Sequence, residues 1–378
     1  MAYFIFWISF ILLCYAFIGY PLLLKALALF STTPSLVDEK LTPMLSMILS
    51  VYNEEAVIRE KIANFHALDY PHHSLEFVII SDGCDDGTEE IVRRLAADDP
   101  RIRLFVQDQR GGKTAALNRG VIEARGSVLI FTDANSLFQR DALAKLVRHF
   151  ADPRVGLVSG RSLYLDSSGD GEQSGGAYRS YEEMIKEGES SIGSIIGADG
   201  AIYALRRELY EPLEPRFIND FLHTVQVVLR GYRAISDPDA LCREVVDGEY
   251  EGEFRRQTRI MAQSWLIFLT QIGRLLSRGR FLYAACFISH KFLRWLTLPL
   301  LSLQVLASLF LLRNGALYGV FFTVISLGGV LALAGAGGRG GGIARSAHLF
   351  FLLHAAAIYG FFRLMSGNQY TTWNPRAN

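Results

Sequence analysis

The first property that this sequence lacks is net charge, because its 38 basic and 38 acidic side chains cancel. A protein that binds nucleic acid through its phosphates carries a basic excess, so we expect no nucleic-acid partner. Cysteine is also scarce, and the four cysteines form no CxxC pair and no metal-ligand spacing. The sequence therefore offers no zinc-type cysteine motif and favours a reducing compartment.

Long apolar runs are what the sequence has in excess, and the first of them lies at the N-terminus. Residues 3–29 carry one charge, Lys25, and about 20 apolar residues suffice to cross a bilayer as a helix. The run is too long for a removed signal peptide, and it lacks a basic start and a small-residue cleavage site. Residues 1–30 are therefore predicted to form a transmembrane anchor, with a bend at Pro21.

A second apolar region covers residues 281–366 and is predicted to hold about three C-terminal transmembrane helices. The predicted spans are 283–312, 316–336 and 346–364. Pro299 is an alternative point at which the first of these would divide. If the basic link containing Arg339 and Arg345 is cytoplasmic, the positive-inside rule places the polar middle of the chain in the cytosol.

The polar middle of the chain alternates strand-like and helix-like segments, which is typical of an α/β fold. The predicted strands are Ser46–Val51, Leu75–Ser81, Arg103–Gln107 and Ser127–Asp133. We assign residues 31–250 to one α/β domain. Residues 251–280 mix basic and apolar side chains, which favours amphipathic helices at the membrane interface.

Three of the predicted strands end in polar residues. Glu54, Asp82 and Asp133 each follow an apolar run. Open α/β sheets bind ligands outside the carboxyl ends of their strands, so these side chains are expected to share one site. An acidic residue at such a position is suited to holding a metal ion and a diphosphate.

Two segments near these strand ends have a simpler alternative interpretation. The run Asp82–Gly87 could be a polar turn that caps the helix beginning near Thr88. The run Gly111–Thr114 resembles a P-loop, but the required glycine is replaced by Gln107, so we reject that interpretation. What remains is a glycine pair that opens a helix with Lys113 at its start, a suitable partner for nucleotide oxygens.

Taken in order, these motifs resemble the membrane-bound family 2 glycosyltransferases, the group of the cellulose, chitin and hyaluronan synthases and bacterial exopolysaccharide enzymes. The resemblance covers nearly the whole chain. It rests on residues 50–55, 81–83, 111–118, 132–135, 197–200 and 219–221 and on the arginines at 255, 256 and 259. It implies a GT-A-like (Rossmann-like) α/β catalytic domain flanked by transmembrane helices.

The resemblance implies a nucleotide-sugar site. Its residues here would be Tyr52, Glu54, Asp82, Lys113, Asp133, Arg255, Arg256 and Arg259, with Glu54 and Asp82 on the nucleoside and Lys113 near the base. Asp133 and Asn135 match the family's DxD motif, which holds Mg²⁺ or Mn²⁺ against the diphosphate. An amide at the second position keeps an oxygen ligand and removes one negative charge. Asn135 has an alternative role as a helix N-cap.

The resemblance also assigns the catalytic base. Asp220 matches the aspartate of the family's TED-like motif, which removes the proton from the acceptor hydroxyl. Asn219 replaces the neighbouring acid, which removes a like charge and should leave the pKa of Asp220 less elevated. The alternative is that Asp220 caps the helix that follows it.

The acceptor side is expected to include Asp199, Gly200 and the segment Tyr178–Ser191. The family's QxxRW motif is incomplete, because Ile260 stands where the tryptophan belongs and Trp265 is the nearest candidate. The basic segment from His290 to Trp295 is interpreted as anchoring at the membrane interface.

The sequence thus predicts an inverting, metal-dependent glycosyltransferase of the inner (plasma) membrane, multi-pass, with a cytoplasmic catalytic domain. The donor would be a nucleotide-diphosphate sugar, a UDP-sugar in the first instance. The acceptor would be a polysaccharide or a lipid-linked saccharide, with partner proteins of a polysaccharide synthesis complex possible. The tail, residues 367–378, resembles a terminal Trp and Arg signature. The alternative function is a non-catalytic membrane scaffold of a polysaccharide export complex.

Overall fold

The computed structural model describes residues 1–30, 32–165, 176–245, 250–337 and 341–367. Two sequence predictions fall beyond these ranges. The C-terminal signature, in the tail that follows residue 367, and Arg339 of the basic link lie outside the described residues.

One eight-stranded mixed sheet forms the centre of the α/β domain. Its strands are β1 (Leu45–Val51), β2 (Leu75–Ser81), β3 (Ile102–Val106), β4 (Val128–Thr132), β5 (Ser136–Phe138), β6 (Val155–Leu165), β7 (Ile202–Arg206) and β8 (Arg233–Val245). Their order across the sheet is β3-β2-β1-β4-β7-β6-β8-β5. The four predicted strands are confirmed, and β2 has the predicted bounds.

Helices connect the strands and cover the sheet. They are α1 (Ala2–Cys14), α2 (Tyr20–Phe30), α3 (Glu55–His66), α4 (Thr88–Ala96), α5 (Lys113–Glu123), α6 (Ala142–Val147), α7 (Gly176–Ile192), α8 (Asn219–Leu229), α9 (Tyr250–Ser277), α10 (Phe281–Phe287), α11 (Leu293–Trp295), α12 (Thr297–Phe310), α13 (Ala316–Ala336) and α14 (Gly341–Met365). Every residue of β2 and β4 is buried, as expected for parallel strands with helices on both faces.

The first half of the sheet is parallel and the second half is mixed. β1 pairs in parallel with β2 and β4, and β2 pairs in parallel with β3. β7 then runs antiparallel to both β4 and β6. The carboxyl ends of β1, β2 and β4 consequently meet at one edge of the sheet, and the amino end of β7 lies at the same edge.

Three helices in the described residues are long and apolar enough to cross a membrane: Ala2–Phe30, Ala316–Ala336 and Gly341–Met365. The predicted span 283–312 is not one straight helix. It is the pair Phe281–Trp295 and Thr297–Phe310, which is bent by 59° and could count as a fourth span. The segment is thus interrupted, but at Leu296, and the alternative break point Pro299 is wrong because it lies inside the second helix of the pair.

The anchor helix is irregular at the place where a bend at Pro21 was expected. A π-helical turn, Tyr15–Gly19, separates α1 from α2. Proline has no N–H and cannot donate to the carbonyl four residues earlier, which belongs to Phe17. The hydroxyl of Tyr181 on α7 donates to that carbonyl at 2.7 Å. The irregular turn thus ties the anchor helix to the α/β domain.

Candidate active site

The tip of β1 is held in a strained conformation. Asn53 has a φ of 54°, in the left-handed region that residues other than glycine seldom occupy. Its side chain exchanges two hydrogen bonds with Asp85, donating to the carboxylate at 2.6 Å and accepting from the backbone N–H at 3.0 Å. Strain of this kind is typical of functional sites. It fixes the positions of the half-buried Tyr52 and Glu54 beside it.

Asp82, at the tip of β2, organises the glycine pair. Its carboxylate accepts hydrogen bonds from the N–H groups of Gly111 and Gly112 at 2.7 and 2.9 Å and from the amide of Gln107 at 2.8 Å. At the start of α4, whose N-cap residue is Gly87, the carboxylate of Asp86 accepts from the N–H of Thr88 at 3.0 Å. The run Asp82–Gly87 thus does adjoin the start of α4 as a polar turn, but Asp82 itself bonds to the glycine loop, and its role on a nucleoside stays a prediction.

Lys113 and Asp133 join the glycine loop to the tip of β4. The Lys113 ammonium forms an ion pair with the Asp133 carboxylate, and both side chains are about one-third exposed at 36%. Lys113 thus lies at the carboxylate predicted to face the diphosphate, whereas the sequence placed it near the base. Arg110, in the same loop, lies over the ring of Tyr52 at 3.6 Å.

Asn135 does not cap a helix. The strand β5 begins one residue after it, and the next helix, α6, begins at Ala142 with Asp141 at its N-cap position. The alternative interpretation is therefore wrong. Asn135 is exposed next to Asp133, so its amide oxygen is accessible to a ligand at the same edge of the sheet.

Asp133 and Asn135 fit a divalent cation by their chemistry. Both offer oxygen atoms, which Mg²⁺ and Mn²⁺ prefer, and a metal ion would share the Asp133 carboxylate with the Lys113 ammonium that pairs with it. In the described ranges no three His, Cys, Asp or Glu side chains gather into a group that could hold a metal ion. Phosphate oxygens would have to supply the remaining ligands, as they do at many Mg²⁺ sites.

Asp220 lies in the first turn of α8 without capping the helix. The N-cap residue of α8 is Ile218, and the Asp220 carboxylate accepts one hydrogen bond, from the N–H of Phe221 at 2.9 Å. The neighbouring Asn219 is buried and donates to the hydroxyl of Tyr203 at 2.7 Å. The helix therefore presents Asp220 at its first turn, while Asn219 anchors that turn to the sheet.

The environment of Asp220 disfavours its charged form. Burial raises its pKa to about 6, the charge of Lys113 opposes the rise, and Asp199 and Asp133 add to it. Replacing the neighbouring acid with Asn219 thus does not keep the pKa low, because burial has the larger effect. A carboxyl group with a pKa near 6 is suited to exchanging a proton at neutral pH.

Gly200 leaves the space that Asp220 occupies. A methyl group at Gly200 would lie 3.0 Å from Oδ2 of Asp220. The preceding Asp199 is fixed by hydrogen bonds from the N–H groups of Ser162 at 3.0 Å and Ala201 at 3.1 Å. The segment before β7 therefore shapes the surroundings of Asp220 through the carboxylate of Asp199 and the absent side chain of Gly200.

With Asp220 as the predicted base, we expect Gly200→Ala to lower the turnover number about tenfold, because displacing such a group by a fraction of an ångström costs part of the about 100-fold loss associated with 1 Å. The backbone at Gly200 does not have a positive φ, so the fold should be retained. The measurement is steady-state kinetics together with thermal unfolding. Gly252→Ala is the matched control, because a methyl group there meets nothing within 4 Å. Unchanged turnover in Gly200→Ala would contradict the proposed position of Asp220.

A cavity of about 360 Å³ opens beside Asp220. One wall comes from the α/β domain and the other from helices α9, α11 and α14. Residues that line it include Arg161, Glu183, Lys186, Asp199, Asp220, Met261, Ser264, Lys291, Trp295 and Ala357. The cavity therefore lies between the α/β domain and the helices that follow it.

Trp265 is not brought together with the other predicted residues. It is 4% exposed, and its indole N–H donates to the carbonyl of Ala357 at 3.0 Å. Its ring lies 4.7 Å from that of Trp295, which lines the cavity. Trp265 thus packs against Trp295 without lining the cavity, whereas Trp295 lines it.

The three predicted arginines near the start of α9 differ in their surroundings. Arg255 is exposed, whereas Arg256 and Arg259 are half-buried. Arg256 forms an ion pair with Glu253 at 2.9 Å. Its charge also opposes the rise in the pKa of Glu244, which burial, Asp199 and Asp133 raise to about 7. The charge of Arg256 therefore acts on the carboxylate of Glu244.

Lys61 is a residue of this site that the sequence interpretation missed. It is fully buried, and its ammonium donates to the hydroxyl of Thr132 at 2.7 Å and to the carbonyl of Ser136. These two residues flank Asp133 and Asn135. Burial lowers the pKa of Lys61 to about 8, with Asp133 and Glu244 opposing the shift. Lys61 thus holds the two ends of the predicted metal-binding loop together through its hydrogen bonds to Thr132 and Ser136.

The basic segment from His290 to Trp295 packs against the α/β domain. His290 lies between two carboxylates, Glu189 at 2.7 Å and Glu182 at 3.1 Å, and Lys291 lies 3.4 Å from Glu182. Arg294 forms a further ion pair with Glu182. These basic side chains therefore have partners on α7 within the protein, and anchoring at a membrane surface stays a prediction.

Comparison with known proteins is consistent with this geometry. Residues 46–213 match the family model described as glycosyl transferase family 2. Poly-beta-1,6-N-acetyl-D-glucosamine synthase of Staphylococcus aureus (strain COL) is 25% identical over 266 residues, which are 68% of this chain and 64% of that protein. An uncharacterized glycosyltransferase of Haemophilus influenzae is 27% identical over 128 residues, covering 34% of this chain and 50% of the relative.

A similar solved structure covers more of the chain. It is a mannosyltransferase from Pyrobaculum calidifontis in complex with GDP-Man and Mn²⁺. The two chains are 25% identical with a TM-score of 0.72, and the likeness covers 97% of this chain and 100% of that chain.

Proposed function

We propose that this chain is an inverting glycosyltransferase acting at a membrane, and the match of residues 46–213 to the glycosyl transferase family 2 model supports this. Its fold is GT-A-like, with a mixed α/β sheet and apolar helices at both ends. The proposed reaction moves one sugar from a nucleotide-diphosphate sugar to a hydroxyl group of a polysaccharide or of a lipid-linked saccharide.

The position of Asp220 is the observation that carries this proposal. The charges of Lys113 and Asp133 act on the pKa of its carboxyl group. The same side chain lines the cavity that extends to α9, α11 and α14. A donor at the sheet edge and an acceptor in the cavity would therefore meet at this carboxylate. Because apolar helices form part of the cavity wall, an acceptor would arrive from the side of the membrane.

The chemistry is a single displacement. Asp220 removes the proton of the acceptor hydroxyl, the hydroxyl oxygen bonds to the anomeric carbon, and the bond from that carbon to the diphosphate oxygen breaks. The electron pair leaves with the nucleoside diphosphate. Lys113 and the arginines at 255, 256 and 259 contribute positive charge beside the departing group. Attack from the opposite face converts an α-linked donor into a β-linked product.

Mg²⁺ or Mn²⁺ would be held by Asp133 and Asn135 and would supply further positive charge for the diphosphate. Lys61 keeps the ends of the loop between β4 and β5 in place for that purpose. The mannosyltransferase of similar structure is described in complex with Mn²⁺, which supports the proposal of a divalent ion.

We propose a UDP-sugar as the donor and a cell-surface glycan as the product. The Staphylococcus relative is named as a poly-beta-1,6-N-acetyl-D-glucosamine synthase, which supports a growing polysaccharide as the acceptor. The Pyrobaculum protein holds GDP-Man, so a GDP-sugar is the second donor to test. The proposed location is the inner (plasma) membrane, with several spans and the active site in the cytosol.

The test is release of nucleoside diphosphate by the purified full chain from a panel of UDP-sugars and GDP-sugars, with Mn²⁺ or Mg²⁺ and a membrane lipid extract as acceptor. Turnover of one donor that depends on added metal and on the extract supports the proposal. The size of the product separates a polymerase from an enzyme that adds one sugar. Silence across the panel, without metal-dependent binding of any nucleoside diphosphate, would favour a non-catalytic scaffold.

The pH dependence of transfer should report Asp220. A general base acts only when it is deprotonated, and the pKa of Asp220 is raised to about 6. We expect kcat/KM to be constant at neutral pH and to fall about tenfold for each pH unit below about 6. The profile should be recorded with a saturating metal concentration. A profile that stays flat down to pH 5 would contradict the assignment of Asp220 as the base.

A further inference from the structure

A second cavity, of about 670 Å³, lies where the C-terminal ends of α8 and α9 meet. Seven residues line it: Glu208, Leu209, Leu229, Arg230, Tyr232, Arg278 and Arg280. Three guanidinium groups thus share one cavity with a single carboxylate in its lining. Like charges at close quarters repel, so such a cluster favours an anion between them.

The three arginines differ in the ion pairs and hydrogen bonds that they form within the protein. Arg230 pairs with Glu211 at 2.8 Å and donates to the carbonyl of Glu208 at 3.0 Å. Within the described part of the chain, Arg278 and Arg280 have no acidic partner, and the Nε of Arg280 is buried without a hydrogen bond. Two guanidinium groups are therefore available, and the fork of an arginine matches the oxygens of a phosphate.

Two glycines place these arginines. Gly279 ends α9 with a φ of +70° and Gly231 ends α8 with a φ of +95°, so each helix closes in a tight left-handed turn. A methyl group at Gly231 would lie 2.9 Å from Nη2 of Arg280. The guanidinium of Arg280 is thus seated against a backbone position that only glycine leaves open.

The surroundings of the cavity match a membrane surface. Leu276, Phe281 and Leu282 are exposed by 45%, 65% and 53%. They are interleaved in sequence with Arg278 and Arg280, and residues 272–282 contain three arginines and no acid. Exposed apolar side chains beside arginines are typical of a segment that lies at the headgroup level of a bilayer.

We infer that Arg278 and Arg280, with Arg230 at the rim, bind the phosphate of an anionic phospholipid headgroup. The apolar side chains around them contact the acyl region of the same lipid. Two basic residues near an anionic membrane surface contribute about fivefold each, so together they account for about 25-fold in lipid affinity. This site is separate from the proposed reaction and does not depend on it.

Native mass spectrometry of the full chain in detergent, titrated with phosphatidylglycerol or phosphatidylcholine, tests the inference. We expect phosphatidylglycerol to bind preferentially, and Arg278→Gln/Arg280→Gln to weaken that binding about 25-fold without changing phosphatidylcholine binding. The matched control is Arg93→Gln/Arg94→Gln on α4, where both arginines pair with glutamates on the same helix. The control should bind phosphatidylglycerol as the wild type does.

Two results would overturn the inference. One is equal binding of phosphatidylglycerol by the wild type and the double variant. The other is loss of the bound lipid on addition of inorganic phosphate, which would identify a site for free phosphate. Should the double variant fail to fold in a thermal unfolding assay, the single variants Arg278→Gln and Arg280→Gln replace it, each with an expected loss of about fivefold.

Discussion

Asp220→Asn is expected to reduce glycosyl transfer by about 1,000-fold, within the range that a general base contributes. The amide retains the size of the carboxylate but cannot accept the proton of the acceptor hydroxyl. Binding of nucleoside diphosphate should persist, because Lys113 and Asp133 are untouched. The measurement is product formation per enzyme at saturating donor, alongside equilibrium binding of nucleoside diphosphate.

The same variant is expected to be more stable than the wild type. The pKa of Asp220 is raised from its ordinary value of 3.8 to about 6, so the folded state binds this proton more tightly than the unfolded state. The charged carboxylate therefore destabilises the wild type above about pH 6, and the effect disappears below about pH 4. Because Asp220 is partly exposed to the cavity, we expect a gain of about 2 kcal/mol at neutral pH.

Asp239→Asn is the matched control for both measurements. Its side chain is 65% exposed and pairs with Arg148 at 3.3 Å, away from the cavity. It should transfer sugar at the rate of the wild type and unfold at about the same temperature. Residual transfer above about one-tenth of wild type in Asp220→Asn would contradict its role as the base.

Asp133→Asn is expected to weaken metal-dependent binding of nucleoside diphosphate by about 100-fold, because it removes the one charged ligand predicted for the metal ion. Asn135→Asp is expected to do the reverse. It adds a second carboxylate at the same edge and should tighten Mn²⁺ binding about tenfold. Both effects can be measured without turnover, by titrating Mn²⁺ in the presence of nucleoside diphosphate and following electron paramagnetic resonance.

The control for this pair is Asp141→Asn, since Asp141 forms an ion pair with Lys145 at 2.7 Å on the nearby helix α6. It should bind metal as the wild type does. An Asn135→Asp variant with unchanged Mn²⁺ affinity would show that residue 135 is not a ligand. An Asp133→Asn variant with unchanged affinity would contradict the proposed site as a whole.

Local patterns were sufficient to predict the sheet edge of this site. The apolar runs that became β1, β2 and β4 are each followed by polar residues, and parallel strands bring such ends together. The identity of Asp133 and Asp220 as candidates came from motifs that stand in one order along the chain. Their relation to Lys113, by contrast, depends on a contact across 20 residues that no local pattern encodes.

Other parts of the site required tertiary structure. Trp295 rather than Trp265 faces the cavity because α11 packs in front of α9, a contact between segments 30 residues apart. His290 and Arg294 have a membrane-interface pattern in sequence, yet their partners lie on α7. One signal was available and missed. Lys61 shares the buried face of α3 with Ile58, Ile62 and Phe65, and a lysine in an apolar stripe needs a partner.

The anomeric configuration of the product tests the central claim most directly. The wild-type chain should be supplied with its α-linked nucleotide sugar and an acceptor, and the new linkage assigned by nuclear magnetic resonance. Direct displacement with Asp220 as the base predicts a β-linked product. An α-linked product would require two displacements or a different mechanism, and it would contradict the roles proposed for Asp220 and the cavity beside it.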